Sequence, residues 1–107
     1  MNLYQAEGGK TMYAQLVMLK LGKGMRSTAG KIADQSFPTL KTLKGFKSIT
    51  FFGDEAVGEY GSLSLWESKE DAEAAAAVME PKVEQAVRRI AKAPPTRQFY
   101  EVYEPKA

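Results

Sequence analysis

The stretch from Gly45 to Ala76, GFKSITFFGDEAVGEYGSLSLWESKEDAEAAA, constrains the fold more than any other part of the chain. It reads as strand, turn, strand and capped helix. Trp66 ends an apolar strand, and Ser68 opens a helix three residues before Asp71. The Ser68 hydroxyl suits the backbone N–H of the third helical residue, and the Asp71 carboxylate can reach back to the Ser68 N–H. Glu70 and Asp71 also suit the positive end of the helix dipole.

The flanking segments complete the pattern. Tyr13 to Leu21, YAQLVMLKL, is too continuously apolar for a half-exposed edge and reads as a strand covered on both faces. Gly22-Lys23-Gly24 makes the turn that follows. Residues 25–43 read as a helix, with Ala29, Ile32, Ala33, Ser36, Phe37, Leu40 and Leu43 at helical spacing. Pro38 should kink or restart it, and Gly45 is placed to cap its end. Residues 47–52 and 59–66 read as two strands of a hairpin across Gly53 to Gly58.

Two helical pieces then meet near Glu80, with Pro81 opening the second. Their apolar stripes are Ala72, Ala75, Ala76, Met79 and Val83, Ala86, Val87, Ile90. Ala93 to Thr96 is a rigid link, and Arg97 to Tyr103 is a last strand rich in β-favouring residues. The order β-α-β-β-α-β is the ferredoxin-like split βαβ arrangement of an α+β fold, with an antiparallel four-stranded sheet. The expected division is an N-terminal extension over residues 1–12 and a single domain over 13–104; Met12 is an alternative start.

A chain of 107 residues fits one domain and leaves much of its surface uncovered, so self-association is a natural supplement. Helices on one side of the sheet leave the other side bare. Strand one is apolar in both registers (Tyr13, Val17, Leu19 and Leu21 in one; Ala14, Leu16 and Met18 in the other), and strand two sets Ile49 and Phe51 against Phe52. A bare face of that composition calls for a partner, and a second copy covers it under two-fold symmetry. The last strand, with Phe99, Tyr100, Val102 and Tyr103, is placed to reach across to that copy.

Net charge is +2, from 15 basic and 13 acidic residues well mixed along the chain, which points away from nucleic acid. No apolar run is long enough to span a bilayer, and residues 1–11 lack a signal-peptide core. A cytoplasmic location is the default expectation. The chain has no cysteine and no histidine. That removes disulfides, thiol nucleophiles, imidazole bases and most zinc or copper sites. Any general base must be a carboxylate, a tyrosine, a lysine or the substrate itself. No metal site and no cofactor is expected.

The segments Leu43-Lys44-Gly45-Phe46, Gly58-Glu59-Tyr60 and Trp66-Glu67-Ser68-Lys69-Glu70-Asp71-Ala72 resemble the antibiotic-biosynthesis-monooxygenase-like family. The resemblance runs from about Tyr13 to Tyr103. It implies a dimeric α+β barrel, in which two sheets pack face to face, and a pocket between helices and sheet. The family includes oxygenases, haem-degrading enzymes, isomerases and members of unknown activity. The haem-degrading branch uses an axial histidine that this chain lacks.

Trp66 matches the family's tryptophan at the end of the third strand, which lines the pocket in several branches. Two roles fit it, pocket wall and core anchor wedging helix against sheet. The family's oxygenases also place an asparagine in the pocket. This chain's one asparagine is Asn2, and its strand-one stretch Val17-Met18-Leu19 is apolar. Gln15 on that strand is a candidate substitute, or else a satisfied amide near the dimer seam.

Tyr60 and Tyr13 are candidate hydrogen-bond donors to a substrate oxygen. Arg97 and Lys20 are candidate oxyanion stabilisers. Each taken alone is more often a surface or interface residue. The candidate set is therefore Trp66, Tyr60 and Arg97 for catalysis, with Gln15, Met18, Phe51 and Phe37 for substrate binding. Two functions remain open. One is a cofactor-free monooxygenase acting on a small aromatic or quinol-type molecule. The other is a non-catalytic dimeric barrel that binds a small apolar ligand.

Overall fold

The computed structural model describes residues 11–106. Most of the N-terminal extension, with Asn2, lies outside the described residues. The elements follow the order β1 (Tyr13–Lys20), α1 (Arg26–Leu40), β2 (Phe46–Asp54), β3 (Glu59–Trp66), α2 (Lys69–Val87) and β4 (Thr96–Glu101). The strands form one antiparallel sheet in the order β2-β3-β1-β4. Each helix is thus a crossover between two parallel, non-adjacent strands, which is the ferredoxin-like arrangement. Among the described residues no helix is long and apolar enough to cross a membrane.

Ser68 caps α2, its hydroxyl accepting from the Asp71 N–H at 3.1 Å. Glu70 and Asp71 occupy the first turn, where they complement the helix dipole. The Asp71 carboxylate packs over Gly45, leaving no room there for a Cβ. Gly45 holds φ at +80°, a conformation few side chains tolerate. It is not a helix cap as expected, because α1 ends at Leu40 and a turn intervenes. Its carbonyl accepts from the Glu67 N–H at 2.9 Å, tying that turn to the start of α2. Gly58, also at positive φ, ends the β2–β3 hairpin and lies against the Gly22 backbone. Its carbonyl accepts from both Leu21 and Gly22 N–H groups, at 2.8 and 3.1 Å.

One proline expectation is corrected. Pro81 lies inside a single continuous α2, so there is no break near Glu80, and Pro38 lies inside α1. Each proline leaves one carbonyl unpaired four residues earlier, at Ala77 and Asp34. Those residues and both prolines are exposed, so water can serve the freed carbonyls.

The core is divided. One cluster gathers Leu40, Trp66, Ala72, Ala75 and Met79. The other gathers Leu19, Leu21, Tyr60 and Val87. On β3 the same face carries Tyr60, Ser62, Ser64 and Trp66, so two small polar residues separate the clusters. The apolar stripe of α1 does not fill the gap, since Leu40 is its only buried residue. On the opposite face of the sheet Phe52, Leu63 and Tyr100 are each more than 40% exposed.

Trp66 is fully buried. Its indole N–H donates to Ser64 Oγ at 2.8 Å, and Phe46 meets its ring edge-on at 5.5 Å. Trp66→Phe removes both ring volume and that donor. It should lower the unfolding free energy by about 1–3 kcal/mol in urea denaturation followed by circular dichroism. A loss below about 0.5 kcal/mol would contradict a core anchor.

Candidate functional site

The gap between the two core clusters is a cavity of about 540 Å³. That lies within the range of roughly 300–1,000 Å³ that encloses small organic molecules. Strand pairing lays out its floor. One row across the sheet is Arg97, Val17, Ser62, Phe51, and the next is Gln15, Ser64, Ile49. Beyond the first row, Leu19 and Tyr60 close the far end. The roof is the stripe Ala29, Ile32, Ala33, Ser36 of α1, with Ala75, Met79 and Val83 of α2. The α1 stripe, read from sequence as a packing face, lines this space.

The polar groups of the floor are linked. Gln15 is 3% exposed. Its Oε1 accepts from an Arg97 guanidinium N–H, and its Nε2 donates to the Ala72 carbonyl of α2 at 3.5 Å. The Ser64 hydroxyl accepts from the Trp66 indole and donates to the Gln15 carbonyl at 3.5 Å. Gln15 therefore joins the sheet, the roof helix and Arg97. Tyr60 lines the cavity at 6% exposure, and its hydroxyl is buried with no hydrogen-bond partner among the described residues. An unmet buried hydroxyl costs about 1–3 kcal/mol, which a ligand acceptor would recover.

Arg97 is largely desolvated, its side chain 15% exposed. Burial pulls its pKa below the ordinary arginine value, and Glu80 and Glu84 oppose that shift. The cation remains charged. Its nearest carboxylate, Glu80 on α2, stands 3.9 Å from Nε and is itself 56% exposed. Arg26 and Glu55 also line the cavity, both exposed at its rim.

Of the residues singled out from sequence, Tyr60, Arg97, Gln15 and Phe51 line this cavity together. Trp66 lies behind the floor, touching it through Ser64. Met18 falls on the opposite face of the sheet, where it pairs with Gly61 and Thr96. Its parity follows Ala14 and Leu16, and the helices cover the other register. Phe37 sits outside, 41% exposed, meeting Phe46 edge-on at 6.3 Å with the Lys41 ammonium 5.6 Å from its ring centre.

Lys20 is exposed at the end of β1. Tyr13 donates to Glu101 at 3.2 Å. Desolvation first, then that hydrogen bond and nearby carboxylates, raise its pKa. Sequence reading missed Ser62, Ser64 and Arg26. The serines were visible as the alternates of Trp66 and Tyr60 on one strand face.

No protein-family model matches the chain, and no curated protein does. Solved structures do. A candidate antibiotic biosynthesis monooxygenase from Nitrosomonas europaea superposes with a TM-score of 0.74 at 11% identity, over 91% of this chain and 95% of that one. SnoaB, a cofactor-independent oxygenase from Streptomyces nogalater, gives 0.70 at 11% identity, over 89% and 96%. A monooxygenase from Streptomyces coelicolor, solved with the ligand nanaomycin D, gives 0.69 at 14% identity, over 91% and 92%. The chain thus has the ferredoxin-like α+β fold shared by these antibiotic biosynthesis monooxygenase structures, the likeness its sequence motifs indicate.

Proposed function

We propose that this protein is a cofactor-independent oxygenase of a small aromatic or quinol-type molecule held between helices and sheet. The observation that carries the reading is the 540 Å³ apolar cavity with an unpartnered buried tyrosine hydroxyl and a desolvated guanidinium on its floor. Its fold is that of SnoaB, described as a cofactor-independent oxygenase. An anthrone-type substrate loses a proton to give an aromatic oxyanion, which passes an electron to O₂. One oxygen atom stays as the new carbonyl and the other leaves as water. The protein's part is to exclude water, orient the ring system and stabilise the anion. Tyr60 donates to the substrate oxygen, and the positive field of Arg97 favours the deprotonated form. Phe51 and the α1 stripe hold the rings.

The same reading makes the protein a homodimer. Leu16, Met18, Phe52, Leu63, Leu65 and Tyr100 fall on the sheet face away from the helices. A second copy is the occupant whose own apolar sheet matches it. In sedimentation velocity the wild type should run as a dimer and Leu63→Glu as a monomer; a monomeric wild type contradicts this part.

Oxygen consumption with anthrone- and quinol-type substrates, in the presence of a chelator, tests the activity. Saturable uptake is expected, and Tyr60→Phe should lower kcat about 10- to 100-fold. Because the Tyr60 hydroxyl bonds to nothing among the described residues, that variant should keep its full stability. Absence of uptake above the uncatalysed rate would leave a barrel that binds a small apolar ligand without reacting.

A further inference from the structure

We propose that the ligand of this cavity carries a carboxylate seated on Arg97, at the β4 edge of the floor. This rests on the reading of the cavity as a small-molecule site and adds the charge of the molecule it takes. The argument begins with how little compensates Arg97. A guanidinium has five N–H donors, and here one is engaged by the neutral amide of Gln15. The Glu80 carboxylate at 3.9 Å is beyond hydrogen-bond reach and half in solvent, and Glu84, which also favours the charged form, is exposed, so both neutralise weakly. Glu55, the one acidic residue lining the cavity, lies at the exposed rim beside the β2–β3 hairpin. A half-buried cation so placed is desolvated at a cost that an approaching anion offsets.

The position of Arg97 fixes what kind of anion fits. It ends the row that crosses the cavity floor through Val17 and Ser62 to Phe51. An anion on it therefore continues into an apolar slot between sheet and helices. The fork of the guanidinium matches the two oxygens of a carboxylate in plane. Arg97 is the cation of the floor itself, Arg26 standing exposed at the rim, so one planar monoanion is matched there. Gln15 restrains the fork by accepting one N–H while its own amide is anchored to Ala72 of α2.

Tyr60 lies two strands and two residues away from Arg97 in register. At about 4.8 Å per strand and 3.4 Å per residue, that separation is roughly 12 Å between Cα atoms. A fused two- or three-ring system can bridge it, with its carboxylate at Arg97 and an oxygen at Tyr60.

The test compares two probes of the same shape, anthraquinone-2-carboxylate and anthraquinone-2-carboxamide, by isothermal titration calorimetry at fixed ionic strength. The wild-type protein should bind the carboxylate about tenfold or more tightly than the carboxamide. Arg97→Gln should abolish the preference between the two probes. Arg97→Lys, which keeps the charge, should retain part of it. Equal binding of the two probes by the wild type overturns the proposal and leaves the cavity reading intact. A preference that survives in Arg97→Gln also overturns it, because the seat is then elsewhere. Failure of both probes to bind overturns the carboxylate seat together with the cavity reading.

Discussion

The junction from β3 to α2 sets the geometry on which the rest depends. Trp66 is buried at the end of the strand, its indole N–H spent on Ser64, and Ser68 starts the helix two residues later. With so short a handover α2 must lie across its own sheet. The turn before β2 is fastened to the same point by the Gly45 carbonyl and by the Asp71 carboxylate packed on Gly45. Phe46, at the start of β2, leans on the indole. One end of the molecule is thus tightly packed. The other end is closed by Leu19, Leu21, Tyr60 and Val87. Between them the serines of β3 are too small to reach the roof, and a cavity results.

That division of the core is where close packing gives way to the candidate site. Filling the gap with larger apolar residues would follow the rule that interiors are close-packed. Instead the floor carries a buried amide, two serines, a tyrosine hydroxyl and a guanidinium. The amide is bonded at both ends and the serines are bonded to their neighbours. The tyrosine hydroxyl and the positive charge of Arg97 are the two unfinished features. In the proposed reading one kind of molecule finishes both, flat, largely apolar and oxygenated at its ends.

Much of the fold was legible because it is written in local chemistry. The Ser68 cap, the alternation of β3 and the apolar periodicity of the helices each fix one element regardless of the others. Pro81 misled because its cost depends on whether the deprived carbonyl faces water, which is a tertiary fact. The site was legible in part. Tyr60, Arg97, Gln15 and Phe51 converge, whereas Met18 belongs to the other face. A strand apolar in both registers cannot say which side the helices cover. Phe37 fits the helical stripe of α1 in sequence, yet it lies toward Phe46 rather than over the cavity. Ser62 and Ser64 carry no motif; their meaning comes from what is missing above them.

The central claim is that the space between α1 and the sheet is a ligand site. Trp66, the only tryptophan, reports on it directly, because its indole bonds to a residue that lines the cavity. Titration with 1,8-dihydroxyanthraquinone, read as quenching of Trp66 fluorescence, is the most direct test. The account predicts saturable quenching in the wild type. It also predicts at least about tenfold weaker binding in Ala33→Phe, whose ring occupies the cavity, with the circular dichroism spectrum unchanged. Quenching that rises linearly without saturating, equally in both proteins, would contradict it.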